Sequence, residues 1–262
     1  MSFLKYLIPA SFLALLPTLS FAGSHGGNLD PSDAVGISFW IISIAMVAAT
    51  VFFLMESLRV KGKWRTSLVV GALVTLVAGV HYFYMREIWA ATGESPTVFR
   101  YVDWIITVPL QMIEFYLILA ACTAVAGGVF WRLFLGSLVM LIGGYLGEAG
   151  FINATIGFVI GMAGWIYILY EIFAGEASKV SAESAPESVQ SAFNTMRWIV
   201  TIGWAIYPIG YMCMDGGWLN LALGWKAHNV DVWYNIADAI NKIGFGLVVY
   251  NIAYTETQKE LA

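Results

Sequence analysis

Residues 34–55, AVGISFWIISIAMVAATVFFLM, form an apolar stretch without a charged side chain. A helix that spans a membrane needs about 20 such residues, so this stretch predicts one bilayer crossing. The rest of the chain has the same character: 60% of its 262 residues are hydrophobic and only 11% are charged, against about 25% charged in an ordinary soluble domain. The composition excludes a soluble globular protein, and we expect the apolar side chains to face the lipid bilayer.

Seven apolar segments of this kind follow one another along the chain. They are Ala34–Met55, Ser67–Met85, Thr97–Cys122, Gly127–Gly147, Ala149–Tyr170, Trp198–Met214 and Val232–Tyr254. Only helices and closed barrels satisfy their backbone in lipid, and these segments lack the period-two alternation of barrel strands. We therefore predict an all-α integral membrane protein, a seven-transmembrane-helix bundle within residues 23–262.

The first 22 residues predict a cleavable signal peptide. They contain one cation, Lys5, then an apolar stretch and the small-x-small ending Ser20-Phe21-Ala22, as such peptides do. An additional membrane helix is the alternative interpretation.

The orientation follows from the loop between the first two segments, which contains four cations: Arg59, Lys61, Lys63 and Arg65. Lys and Arg in short loops remain cytoplasmic. The N-terminus is thus predicted outside and the C-terminus in the cytoplasm. In this orientation the polar stretch Gly175–Asn194 is a cytoplasmic loop. The net charge of −4 is small and dispersed, which gives no case for a nucleic-acid partner. Three histidines and two cysteines are too few and too scattered for a zinc cluster.

Ionisable residues inside membrane helices are costly and are functional candidates by default. Lys242 in the seventh segment lies roughly 16 Å from the outer end of its helix, at about 1.5 Å per residue, with Asp238 one turn outward on the same face. These two residues alone fit a structural ion pair as well as a functional site.

The third segment favours the functional alternative. Asp103 and Glu114 are eleven residues apart, about three turns, and so share one helix face. Lys242 falls between them in depth, which places acids on both sides of one central amine, and Arg100 lies further out. Membrane-buried chains of this kind form proton relays, and a structural ion pair does not need Glu114.

A buried lysine also forms Schiff bases with aldehydes, because desolvation frees its amine to attack. An apolar aldehyde with an extended body requires a slot lined by aromatic and small side chains. The helices supply the candidates Trp104, Trp165, Trp204, Tyr207, Tyr211, Met140 and Gly144.

These residues form spaced motifs that resemble the microbial rhodopsins, most closely the proteorhodopsins. The motifs are Arg100-Tyr101-x-Asp103-Trp104-x-x-Thr107-x-Pro109-x-Gln111-x-x-Glu114, Trp204-x-x-Tyr207-Pro208 and Asp238-x-x-x-Lys242. The resemblance spans all seven segments and includes the signal peptide and a histidine on the second helix, His81.

The resemblance implies all-trans retinal bound to Lys242 as a protonated Schiff base and isomerised by light to 13-cis. Asp103 is then the proton acceptor, Asp238 the second half of the counterion and Glu114 the proton donor, while Arg100 orders water beside the counterion. Thr107 and Pro208 join the retinal pocket. The implied activity is a light-driven outward proton pump, a transporter rather than an enzyme, in the inner membrane. Family members commonly form pentamers or hexamers, so a homo-oligomer is expected, with no soluble partner required.

Two further residues carry expectations from the same resemblance. His81 has the depth of Asp103 and, as in proteorhodopsins, is expected to hydrogen-bond it and help to set its pKa; a bond to a backbone carbonyl or water is the alternative. Gln111 is expected to face the polyene, where glutamine accompanies blue absorption and leucine accompanies green.

Other functions remain alternatives. A photosensory rhodopsin that signals to a membrane transducer keeps the fold, although Glu114 argues against it. A chloride pump is disfavoured because Asp103 would repel the anion, and a sodium pump is expected to carry Asn and Gln at positions 103 and 114. A cofactor-free transporter or receptor leaves the Lys242 and Asp103 arrangement unexplained.

Overall fold

The computed structural model describes residues 30–213, 217–223 and 230–262. The regular elements within these ranges are all helices, and none of the described residues lies in a strand. The predicted signal peptide, residues 1–22, lies outside the described residues.

Seven membrane helices follow one another in the chain, numbered here in that order. The first five are Ala34–Ser57, Trp64–Thr92, Thr97–Cys122, Gly127–Glu148 and Ala154–Phe173. The sixth comprises Glu187–Trp198, a π-helical segment Ile199–Gly203, and Ile206–Cys213; the seventh comprises Val230–Ala239, a π-helical segment Ile240–Gly244, and Phe245–Leu261. Short helices Glu176–Ser184 and Trp218–Leu223 flank the sixth.

Among the described residues, six helices are long and apolar enough to cross a membrane without interruption. The sixth membrane helix is not one of them because turns follow its π-helical segment and divide it. Neighbours in sequence pack side by side, and the seventh helix packs against the first and second, which closes the bundle. Large apolar side chains such as Ile202, Ile166 and Trp131 are more than half exposed on its outside, as expected of a surface that faces lipid. These features confirm the predicted all-α, seven-helix membrane bundle.

The two ends of the bundle are called cytoplasmic and outer according to the basic loop at residues 58–63. The first helix begins at the outer end, where Asp33 is its N-cap: the Asp33 carboxylate accepts a 2.8 Å hydrogen bond from the Gly36 N–H. The same carboxylate accepts a 3.0 Å hydrogen bond from Trp89 Nε1 on the second helix. Asp33 therefore caps the first helix and also joins two helices at the outer surface.

At four places the predicted helix ends are wrong by five or more residues. The last of these is the end of the seventh helix, at Leu261 rather than Tyr254. The second helix continues past Met85 to Thr92 and the left-handed Gly93, because its charged Arg86 stacks over the Trp40 ring at 4.2 Å instead of ending the helix. The fifth helix begins at Ala154 rather than Ala149, since Asn153 caps it.

The third difference is the polar stretch 175–194, which is mostly helical rather than a loop. Val189 and Phe193 within it, and Met196 just after it, are buried. Their spacing places them on one helix face that packs against the bundle. The sixth helix therefore begins at Glu187, eleven residues before the predicted start.

The fourth and fifth helices approach each other at glycines. A Cβ atom added to Gly157 would lie 2.5 Å from Cα of Gly147 and 2.8 Å from the carbonyl oxygen of Gly143. Such contacts are possible only where small residues let two backbones touch. The two helices thus form a close pair along one side of the bundle.

Candidate functional site

The amine at the middle of the bundle is Lys242, which is 3% exposed and lies in the π-helical segment of the seventh helix. Its Nζ forms ion pairs with the carboxylates of Asp103 on the third helix and Asp238 one turn outward; the distance to Asp238 Oδ2 is 2.8 Å. The three residues that the sequence placed near one depth are therefore in direct contact.

Asp238 is held by several donors besides the lysine. Tyr207 Oη donates a 2.6 Å hydrogen bond to Oδ1, and Tyr82 Oη donates a 3.0 Å bond to Oδ2. Trp104 Nε1 lies 3.3 Å from Oδ1. An ammonium and three neutral donors stabilise a negative charge at this position. Tyr82 was not identified from the sequence, where it is one of 13 tyrosines.

Asp103 is fully buried and less completely bonded than Asp238. One of its oxygens contacts Lys242, whereas Oδ1 accepts no hydrogen bond from any described residue. Thr107, predicted in the retinal pocket, does not line the cavity; its hydroxyl donates a 3.0 Å bond to the main-chain oxygen of Asp103. The reason is local: the threonine hydroxyl bonds the carbonyl one turn back in its own helix.

Arg100 lies outward of the two carboxylates and is paired with a third one. Its Nη2 donates to Asp231 Oδ1 at 2.7 Å and to Asn235 Oδ1 at 2.8 Å, and the Asp231 pair is almost fully buried. The Ser95 hydroxyl donates to the same Asp231 oxygen at 2.9 Å. This partnership was not predicted from the sequence. The signal was available: 231, 235, 238 and 242 share one helix face.

Glu114 lies on the cytoplasmic side of Lys242 and is 1% exposed. Its two carboxylate oxygens accept no hydrogen bond from the described residues. The Ser67 hydroxyl of the second helix faces it without reaching hydrogen-bond geometry. Its neighbours along the helix, Phe115 and Ile118, belong to the apolar core. Glu114 is thus an isolated acid, unlike the carboxylates on the outer side.

His81 uses its Nδ1 to donate a 2.8 Å hydrogen bond to the carbonyl oxygen of Val77, one turn back. Among the hydrogen bonds of the described residues, none joins it to Asp103, although it is near enough to act on that carboxylate electrostatically. The partnership of His81 with Asp103 stays a prediction, and Nε2 is the nitrogen that would have to make it.

A cavity begins at Lys242 and Asp238 and extends between the third to seventh helices. Its wall contains nine of the predicted pocket residues: Trp104, Gln111, Met140, Gly144, Trp165, Trp204, Tyr207, Pro208 and Tyr211. Phe158 and Met162 of the fifth helix also line the cavity, and the sequence offered no motif that singled them out. The remaining lining residues are Tyr101, Val108, Leu141, Glu148, Gly161 and Tyr234. The Trp104 and Tyr207 rings meet edge to face with centroids 5.0 Å apart.

Comparison with known proteins agrees with this arrangement. The family model described as bacteriorhodopsin-like protein matches residues 33–256. The chain belongs to the bacteriorhodopsin-like family. Within that family it is 51% identical to a green-light absorbing proteorhodopsin of the gamma-proteobacterium EBAC31A08, over 97% of this chain and 99% of the relative. It is 52% identical to a blue-light absorbing proteorhodopsin of the gamma-proteobacterium Hot 75m4, over 97% of this chain and 98% of the relative.

Solved structures of the bacteriorhodopsin-like fold give the same result. A blue light-absorbing proteorhodopsin from Med12 shares 50% identity and superimposes with a TM-score of 0.72, covering 86% of this chain and 100% of that one. Xanthorhodopsin, described as a light-driven ion pump with dual chromophore, shares 27% identity with a TM-score of 0.74, covering 88% and 98% of the two chains. The resemblance to proteorhodopsins inferred from the motifs is confirmed.

The cavity of this bacteriorhodopsin-like chain fits the expected retinal. An extended apolar aldehyde needs an apolar slot with one reactive amine at its end, and Lys242 is the one lysine among the described residues that line the cavity. The two adjacent carboxylates would balance a positive charge at Nζ. Trp104, Trp165 and Trp204 supply flat apolar surfaces. Gly144 supplies space, since an added Cβ would lie 2.9 Å from Tyr101 Oη.

Gln111 is the one amide side chain among the described residues of this wall, which also includes the carboxylic acid of Glu148. Its Nε2 donates a 2.8 Å hydrogen bond to the main-chain oxygen of Asn241, the residue before Lys242. The amide is thereby fixed beside the cavity by the residue that directly precedes the reactive lysine. This geometry accords with the expectation that Gln111 faces the bound chromophore.

Proposed function

We propose that the chain is a light-driven outward proton pump that carries all-trans retinal on Lys242. One observation supports it above the others: the Lys242 Nζ contacts two carboxylates on its outer side, while a single unpaired acid lies on its cytoplasmic side. A structural ion pair accounts for one carboxylate at most, and a binding receptor requires no acid at the position of Glu114. The solved xanthorhodopsin, a light-driven ion pump, has the same fold.

Retinal, when bound, supplies light absorption and an isomerisation that changes the direction and basicity of the nitrogen at Lys242. The residues of the chain then determine where the proton goes. Asp103 is the acceptor because one of its oxygens contacts Nζ and the other is not committed to another described group. Asp238 is bonded by Tyr207, Tyr82 and Trp104, and so we assign it the role of fixed counterion.

Glu114 resupplies the proton from the cytoplasmic side. A buried carboxyl group without a cationic partner is stabilised in its neutral form, so it carries a proton to give. The buried, apolar surroundings of Glu114 keep water away until Nζ has lost its proton. An acceptor on the outer side and a donor on the inner side together define outward transport.

We propose that the pigment absorbs blue light. The Gln111 amide lies beside the cavity and its dipole is held by the Asn241 carbonyl. A fixed polar group stabilises the ground-state charge distribution more than the excited one, because excitation moves positive charge along the polyene. The excitation energy therefore increases.

We place the protein in the inner membrane, as the signal peptide and the basic cytoplasmic loop predict. We also propose a homo-oligomer, a pentamer or hexamer, on the strength of the family resemblance. Native mass spectrometry of the detergent-solubilised pigment tests this: a single mass of five or six chains supports it, and a monomer across detergents contradicts it.

The deciding experiment is the light-induced pH change of an unbuffered suspension of cells that express the chain, with and without added all-trans retinal. We expect acidification that requires retinal and disappears with a protonophore. Alkalinisation would contradict the direction. A coloured protein without a pH change would favour the photosensory alternative, and a colourless protein would refute the role of Lys242.

A further inference from the structure

The sixth helix is interrupted because Pro208 has no backbone N–H group. In a regular helix the carbonyl of Trp204 would accept from residue 208, and proline has no N–H to give. The Tyr207 N–H bonds the Trp204 carbonyl instead, at 3.1 Å. That N–H is the one which a regular helix would direct at the carbonyl of Gly203.

The carbonyl of Gly203 is bonded by another helix. Asn241 Nδ2 donates a 2.9 Å hydrogen bond to it. The same Nδ2 lies 3.3 Å from Tyr207 Oη, the hydroxyl that donates to Asp238. A side chain of the seventh helix thus replaces a backbone hydrogen bond missing from the sixth. The contact is tight, since a Cβ atom added to Gly203 would lie 3.0 Å from Asn241 Cγ.

Asn241 makes a third contact through its backbone. Its carbonyl oxygen accepts the hydrogen bond from Gln111 Nε2. The residue is 2% exposed, lies in the π-helical segment and directly precedes Lys242. A π-helical turn has an extra residue in its ring and needs support from its surroundings. The Asn241 side chain gives that support by joining the two π-helical segments.

We infer that Asn241 is a positioning residue of the pigment: its side chain clamps the break in the sixth helix to the residue before Lys242, and so fixes the carbonyl that orients Gln111. The inference rests on the proposed function, because orientation of Gln111 matters only if a chromophore fills the cavity. Asn241 does not line the cavity, so by this inference a residue outside the cavity wall contributes to the colour.

The test is whether the effect of Gln111 on colour depends on the clamp. The red shift caused by Gln111→Leu is measured in the native background and in Asn241→Leu, which has nearly the same volume but cannot donate a hydrogen bond. We expect the shift to fall to less than half in the second background. Equal shifts in the two backgrounds would overturn the inference.

Gly203→Ala breaks the same clamp from the sixth helix and serves where Asn241→Leu yields no pigment. The matched control is Gly244→Ala. Gly244 lies in the π-helical segment of the seventh helix, as Asn241 does, but a Cβ atom added to it meets nothing within 4 Å. The control is expected to keep the full red shift, whereas Gly203→Ala reduces it. A reduction of equal size in both variants would contradict the clamp.

The contact itself is testable without retinal. In the retinal-free protein, the melting temperature is measured for Gly203→Ala in the native background and in the Asn241→Ala background. We expect Gly203→Ala to lower it less in the Asn241→Ala background, because the side chain that collides with the added Cβ is then absent. Equal decreases in both backgrounds would show that the clamp is absent. A native protein that forms no pigment refutes the proposed function, whereas a pigment with additive spectral shifts refutes only this inference.

Discussion

The outer and cytoplasmic halves of the bundle contain buried acids in opposite environments. Outward of Lys242, Asp238 and Asp231 accept hydrogen bonds from tyrosine, tryptophan, serine and arginine side chains. On the cytoplasmic side, Glu114 has no hydrogen bond from any described residue. The surroundings of Asp238 and Asp231 are therefore suited to holding negative charge, and those of Glu114 to holding a neutral acid. Under the proposed function, this asymmetry gives the transport its direction.

Removal of the amine between the two halves has the largest expected effect. Lys242→Ala eliminates the nucleophile, so no covalent pigment forms. We expect no visible absorption band after addition of all-trans retinal. The measurement is the absorption spectrum of the membranes, with an immunoblot to show that the chain is present. A stable visible band in this variant would contradict attachment at Lys242.

Removal of the acceptor breaks the outer half. Asp103→Asn keeps the shape of the side chain and removes its basicity, and we expect outward pumping to fall by about 10²-fold or more, the scale of a lost acid–base group. Acidification by illuminated cells measures it. The exposed Glu94 is the control, and Glu94→Gln is expected to pump normally. Undiminished acidification by Asp103→Asn would end the assignment.

Removal of the donor breaks the cytoplasmic half and leaves the outer half intact. In Glu114→Gln we expect proton transfer to Asp103 to keep its rate, while return of the proton to Lys242 slows by about 10²-fold. Flash spectroscopy resolves the two steps. Azide, a small weak acid, should restore the slow step because it carries protons in place of the side chain. The exposed Glu183 offers a matched Glu→Gln control, and equal slowing there would remove the donor role from Glu114.

The smallest expected effect is that of a substitution in the cavity wall, which lies between the two halves. Gln111→Leu removes a fixed dipole beside the cavity. We expect the excitation energy to fall by about 1 kcal/mol, the net scale of one hydrogen bond, and the absorption maximum therefore to move to longer wavelength. Pumping should persist. An unchanged maximum would show that Gln111 does not tune the colour.

The fold was predictable because apolar length controls membrane insertion. The third helix has the predicted bounds Thr97–Cys122, and the depths of Asp103 and Lys242 followed from the rise per residue. Helix ends outside the bilayer were less predictable, because helical hydrogen bonding continues through charged residues such as Arg86. The helix that begins at Glu187 was not predicted, because its first residues are polar and lie outside the apolar segment.

The site was predictable where spacing within one helix determines the neighbours. The shared face of Asp238 and Lys242 is an example. Contacts between helices depend on helix rotation and on side-chain conformers, which one sequence does not specify. The pairing of Arg100 with Asp231 is of this kind. The bond of His81 to the Val77 carbonyl lies within the second helix, and it depends on the conformer of the His81 side chain.

The glycine contact between the fourth and fifth helices has a mechanical consequence. Where the backbones touch at Gly147 and Gly157, no side chain lies between the fourth and fifth helices that could rearrange, so this pair forms a rigid side of the bundle. The sixth helix, in contrast, is interrupted after Gly203. Under the proposed function, we expect a change of shape within the cavity to displace the interrupted helix more than the close-packed pair.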